Sequence, residues 1–100
     1  TDKATVVGLI LNELGTNALK HGFSNEATPW FAVTLEARHE SEICVMTVQH
    51  NGAPLPEDVE AFASGISGLG LVRSLVSQIR GTLDIEGHPR PTFRIVFPIG

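Results

Sequence analysis

The sequence predicts an α+β fold, a two-layer α/β sandwich in which helices cover one face of a mixed, mostly antiparallel sheet. Three observations predict it. Apolar residues recur at helical spacing in two segments, 3–21 and 68–79. Strand patterns come in two neighbouring pairs, 30–38 with 43–50 and 82–86 with 92–98, each joined by a short turn. The order is therefore helix, hairpin, loop, helix, hairpin, and a helix beside each hairpin can bury its apolar stripe on a shared sheet. A chain of 100 residues is one domain, 1–100.

Thr1 or Asp2 can cap the first helix, and Gly22 is a natural stop for it. Val7, Ile10, Leu11, Leu14, Ala18 and Leu19 supply its apolar surface. Gly15 inside it costs about 1 kcal/mol relative to alanine, which suggests close approach by another element. In 30–38, Phe31, Val33, Leu35 and Ala37 alternate with Thr34, Glu36 and Arg38, the pattern of a half-buried strand. The segment 43–50 is apolar on both faces for most of its length, hence central. Cys44, Met46, Val48 and His50 point the same way, toward the helix-covered side. Residues 51–56, NGAPLP, break the strand. A short helix is expected within 57–64, then a small, glycine-rich stretch. In the second helix Leu69, Val72, Leu75, Val76 and Ile79 share a face, and Gly81 ends it. Phe93, Ile95 and Phe97 point inward from the last strand.

Composition narrows the function. A hydrophobic fraction of 42% and a charged fraction of 18% describe a globular chain. Net charge is −4 with no basic run, which argues against a nucleic-acid or membrane surface. The single cysteine, Cys44, excludes an internal disulfide and a cysteine-rich zinc site. No run of about 18 apolar residues is present, and the first residues lack a signal-peptide layout. They read as a cut inside a longer protein, and a cytoplasmic module with no direct membrane contact is expected.

The chemistry concentrates on the first helix. Glu13, Asn17 and Lys20, at i, i+4 and i+7, line one side of an otherwise apolar surface, with His21 beside them. An acid, an amide, a cation and an imidazole there require partners, because an unpaired buried polar group costs a few kcal/mol. A bound ion or ligand would be one such partner. Water would be another, if this is an ordinary amphipathic helix. The second feature is Gly65-Ile66-Ser67-Gly68-Leu69-Gly70 leading into a helix. Glycines let backbone approach phosphate closely, and a helix N-terminus offers N–H groups to an anion. This G-x-x-G-x-G order matches neither the dinucleotide fingerprint nor a P-loop, so by itself it is equally a flexible loop.

The string NELGTNALKHGF resembles the N box of the ATPase superfamily shared by DNA gyrase, the heat-shock chaperones, histidine kinases and the mismatch-repair ATPases. Its fuller form is similar to the HWE-type branch of bacterial sensor histidine kinases. The resemblance continues through VQHNGAPLP and GLGLVRSLVSQIRGTLDIE to FRIVFP, in the family's order. It implies an N box at 12–21, an adenine box at 50–56, and a lid with glycine motif at 57–70. It further implies ATP and Mg²⁺. Asn17 would ligate the metal, and Glu13, catalytic with it, would sit behind the metal's ligands or polarise a bound water. Lys20 would contact phosphate, and His21 would border the nucleotide. Gly52 would leave room for the base, while Gly65, Gly68, Leu69 and Gly70 would close on the phosphates. The implied partners are an upstream histidine-bearing dimerisation domain of the same protein and the receiver domain of a response regulator.

The sequence departs from this pattern at the adenine box. Where the family carries Asp-x-Gly-x-Gly, with the aspartate accepting from the adenine amino group, this chain has His50, Gly52 and Pro54. Losing a charged acceptor costs about 1.5–3 kcal/mol, roughly ten- to hundredfold in affinity. A neutral imidazole keeps one lone pair to accept with. Arg80 stands where relatives often have glycine. Three functions are therefore carried forward: a working ATP-binding domain of a two-component histidine kinase, a degenerate histidine-kinase-like scaffold that does not bind ATP, and an anti-sigma-factor-type serine kinase.

Overall fold

A computed structural model describes residues 2–22, 28–53, 55 and 69–100. The elements are α1 (Lys3–Asn17), a π-helical turn (Ala18–Gly22), β1 (Phe31–Arg38), β2 (Ile43–His50), α2 (Leu69–Gln78), β3 (Thr82–Glu86) and β4 (Thr92–Pro98). The strands form one sheet in the order β1-β2-β4-β3. All three pairings are antiparallel, so the sheet is not mixed among the described residues.

Asp2 caps α1, its carboxylate accepting from the backbone N–H groups of Ala4 and Thr5. Lys3 donates through Nζ to the carbonyls of Pro98 and Gly100 at 2.6 Å each, fixing the start of α1 beside the end of β4. Val6, Ile10 and Leu14 of α1 join Val72, Leu75 and Val76 of α2 in one cluster with the inner faces of β2 and β4. Cys44, Met46, Val48 and His50 all lie inward, as the alternation predicts. β1 differs from expectation. Its inward residues face Val48 and Met46 in register, yet the whole strand is exposed, with Leu35 at 64%. β1 is the sheet edge, and the helices gather their apolar side chains over β2 and β4 instead.

The helices run antiparallel. Lys3, at the start of α1, shares a cleft with Gln78 and Ile79 at the end of α2. The N-terminus of α2 consequently lies toward the last turns of α1. Gly15 is not demanded by close approach: an added Cβ would meet only Phe31 Cζ, at 4.0 Å.

α2 ends in a Schellman motif, with Gly81 N–H donating to Val76 O at 2.9 Å and Arg80 N–H to Ser77 O at 3.0 Å. The left-handed position falls on Arg80 (φ 58°), one residue before the expected glycine. Gly81 is required for a different reason. A Cβ there would lie 3.0 Å from Val96 O and from Val76 Cγ1, where the helix end meets β4.

Two substitutions at this corner should act in opposite senses. An L-residue in the left-handed conformation costs about 1–2 kcal/mol, so Arg80→Gly should be neutral to stabilising by up to about 1 kcal/mol once glycine's own entropy is counted. Gly81→Ala should destabilise by about 1–3 kcal/mol, since the carbonyl it meets belongs to the sheet. Urea unfolding midpoints of the two variants check both.

Candidate functional site

Four features converge on one end of the sandwich. α1 starts beside the end of β4, so it finishes near the other end of the sheet, where β2 terminates at His50. Phe31 makes the connection. It lies against the Gly15 turn of α1 and stacks on the His50 ring with centroids 6.3 Å apart and planes at 11°. The N-terminus of α2 is directed to the same end. Asn17 closes α1 there.

Asn17 sits one residue before Ala18, which continues the buried stripe of Ile10 and Leu14. This position turns its amide toward the core rather than toward water. The Nδ2 atom is fully buried and has no hydrogen-bond partner among the described residues. Such an atom costs about 1–3 kcal/mol unless something else satisfies it. Glu13, one turn earlier, is half-buried. Lys20 does not continue the line: the helix widens into a π turn after Asn17, and Lys20 is exposed within it. The backbone of His21 belongs to the same turn.

His50 is 4% exposed, with Phe93 on its other side at 6.5 Å. Its Nδ1 accepts the N–H of Gly52 at 3.0 Å. Burial pulls the imidazole pKa below its ordinary value, which favours the neutral ring. A neutral imidazole has one acceptor nitrogen, and here Gly52 takes it. This overturns the expectation that His50 keeps a lone pair to accept from an adenine amino group. Gly52 itself is buried.

Asn51, which sequence reasoning passed over, holds the rim in place. Its Oδ1 accepts Trp30 N–H at 2.8 Å, its Nδ2 donates to Thr28 O at 3.0 Å, and its own N–H donates to Trp30 O at 3.4 Å. An asparagine directly after a strand is a turn former, and that was the available signal. The Arg90 guanidinium lies over the Trp30 ring, 5.3 Å from its centroid. Leu55 N–H donates to Gly87 O at 3.1 Å, and Leu55 packs so closely that Gly87 has no room for a Cβ. The chain beyond β2 is thus fastened to the turn between β3 and β4. Leu69 and Gly70 form the first residues of α2, Leu69 buried. Gly65, Gly68, Pro54 and the lid with its expected short helix lie outside the described residues.

Comparison with known proteins identifies the family. Residues 2–100 match the family described as histidine kinase-, DNA gyrase B-, and HSP90-like ATPase. The chain is similar to the sensor histidine kinase PdtaS of Mycobacterium tuberculosis, 32% identical over 87 residues, covering 86% of this chain and 17% of PdtaS. It is likewise 32% identical over 79 residues to the blue-light-activated histidine kinase 2 of Erythrobacter litoralis, covering 79% of this chain and 22% of that one. The solved histidine kinase domain of an Erythrobacter litoralis blue-light-activated kinase superposes with a TM-score of 0.82 at 30% identity, over 97% of this chain and 45% of that one. The histidine kinase AdeS of Acinetobacter baumannii shares the fold at a TM-score of 0.75 and 16% identity, over 96% of this chain and 47% of that one. The chain spans about a fifth of the length of the curated relatives.

Two outcomes follow for this end of the molecule. Because the folded His50 resists the proton that the unfolded ring accepts, its contribution to stability is complete above about pH 6.5 and declines as pH drops below that value. Urea unfolding at pH 7.5 and 5.5 should show the loss, and His50→Asn should reduce it. Asn51→Ala should release the Thr28–Trp30 backbone. Trp30 is the sole tryptophan, so a red shift and stronger acrylamide quenching of its fluorescence would report the release.

Proposed function

The chain belongs to the family of histidine kinase-, DNA gyrase B-, and HSP90-like ATPases, and on that premise we propose that it is the ATP-binding catalytic domain of a sensor histidine kinase. It supplies the terminal phosphoryl group of ATP to a histidine on a separate, upstream dimerisation domain, from which a response-regulator receiver domain takes it. The observation that carries this reading is the buried side-chain nitrogen of Asn17, which has no hydrogen-bond partner among the described residues, at the end where α1, α2 and the close of β2 converge.

The donor chemistry fits a magnesium-bound triphosphate. Mg²⁺ takes oxygen ligands and keeps several waters, so one protein oxygen is enough when the nucleotide supplies the others. Asn17 Oδ1 is that oxygen in this proposal, and Nδ2 would be satisfied by a phosphate oxygen. Among the described residues no group of three or more His, Cys, Asp or Glu could cage a metal alone. When bound, the ion neutralises charge on the phosphates. Glu13 orients a water beside Asn17, and Lys20 reaches back from the surface as a point charge. His21 borders the nucleotide. The helix start at Leu69 and Gly70, with Gly65 and Gly68 ahead of it, presents backbone to the phosphates.

In this reading the acceptor histidine lies on that separate domain. His50 is buried, and His39 and His88 occupy turns. The isolated domain should therefore not phosphorylate itself. No described helix is long and apolar enough to cross a membrane, and a cytoplasmic location is part of the proposal. A second reading is a domain that keeps the fold as an interaction scaffold without binding ATP. The occupied lone pair of His50 favours it.

Calorimetric titration with a non-hydrolysable ATP analogue, with and without Mg²⁺, separates the two. Micromolar, metal-dependent binding is the expected result, and Asn17→Ala should weaken it by about tenfold or more and remove the metal dependence. Absence of heat at millimolar ligand would favour the scaffold.

A further inference from the structure

The corner that ends β2 is held from both sides. On one side His50 N–H donates to Pro91 O at 3.4 Å. On the other, Asn51 carries the β1–β2 ladder one step past its last pair, Phe31 opposite His50. The main-chain N–H of Asn51 donates to Trp30 O at 3.4 Å, and its Oδ1 accepts Trp30 N–H at 2.8 Å in return. Nδ2 then donates to Thr28 O at 3.0 Å. One carboxamide thus serves two peptide groups with an acceptor and a donor at once. Aspartate lacks the donor, and alanine lacks both.

The grip continues beyond Trp30. The next residue, Phe31, has its Cζ 4.0 Å from where a Gly15 Cβ would stand, and it lines one groove with Gly15, Thr16 and Leu19. A path of direct contacts therefore runs from Asn51 through the start of β1 to the last turn of α1, two residues from Asn17. Phe31 is 38% exposed on a strand that is exposed throughout. Burial holds this stretch only in part, and the Asn51 bonds hold it against β2.

We propose that Asn51 is a positioning residue for nucleotide binding, setting the corner after β2 and the end of α1 at a fixed spacing so that one nucleotide meets both. The inference rests on the nucleotide reading above, with the phosphates at the end of α1 and the base beside residues 50–56. Asn51 acts through Trp30 and Phe31 and needs no contact with the ligand. A spacing set in advance lowers the cost of binding, because the ligand does not have to order the two ends itself.

The test is calorimetric titration of the chain with a non-hydrolysable ATP analogue in Mg²⁺, comparing the parent, Asn51→Ala, Phe31→Ala and the double variant. Asn51→Ala should weaken binding by about fivefold or more. In the Phe31→Ala background the same change should cost under about twofold, because both substitutions cut one path. Asn51→Asp keeps an acceptor for Trp30 N–H and should recover most of the affinity. Asn51→Gln, one methylene longer, should weaken binding as alanine does, and replaces it should Asn51→Ala not fold. Gly81→Ala, at the far end of the sandwich, is the control for lost stability: its urea midpoint should fall while its dissociation constant stays at the parent value. Unchanged binding in Asn51→Ala overturns the proposal and leaves the nucleotide reading standing. So do equal losses with and without Phe31, or a Gly81→Ala variant that loses affinity as Asn51→Ala does. A parent chain that does not bind the analogue overturns both.

Discussion

One apolar seam governs the molecule: the inner faces of β2 and β4 against the stripes of α1 and α2. Ile10, Val48, Val72 and Ile95 are wholly inaccessible in it, and burying each such side chain contributes about 1.5–3 kcal/mol. The seam is also what orders the polar chemistry. Two antiparallel helices laid on an antiparallel sheet have only two ends. Lys3 bonds the chain's last carbonyls at one of them. The other end receives the close of α1, the start of α2 and the close of β2. Groups 33 residues apart in sequence, Asn17 and His50, come to the same end because apolar packing leaves nowhere else for those termini.

These two polar groups answer burial in different ways. His50 is satisfied from within, by a backbone N–H two residues ahead, and its neutrality follows from desolvation. It has become part of the fold, spending the atom with which it could have read a base. Asn17 keeps a buried amide nitrogen with no partner among the described residues. A fold tolerates such a group when a ligand completes it, and the cost to the empty state becomes selectivity in the bound one. The resemblance to sensor histidine kinases gives that ligand a chemical class.

β1 shows the limit of pattern reading. Its alternation is that of a half-buried strand, and its inward side chains do lie in register with buried partners on β2. Burial, though, requires a covering layer, and no local pattern states where the helices will lie. Lys20 is a similar case. Ideal helical spacing places it in line with Asn17, but the π turn breaks that spacing. Arg80 in the left-handed position and the three rim hydrogen bonds of Asn51 likewise depend on what the rest of the chain brings beside them, and the turn-forming character of Asn51 does not name its partners.

The sequence by itself determined the element order, the ends of β2, β3 and β4, the inward face of β2, the α+β class and the family, since all of these follow from periodicity, turn residues and motif order along the chain. Tertiary structure alone decided that the sheet is antiparallel throughout its described pairings, that β1 is an uncovered edge, that the Asn17 side-chain nitrogen is buried with no hydrogen-bond partner among the described residues, and that the His50 ring accepts from Gly52. The reason is physical. Local propensity is set by neighbours in sequence, whereas exposure, hydrogen-bond satisfaction and the tautomer of a ring are set by neighbours in space.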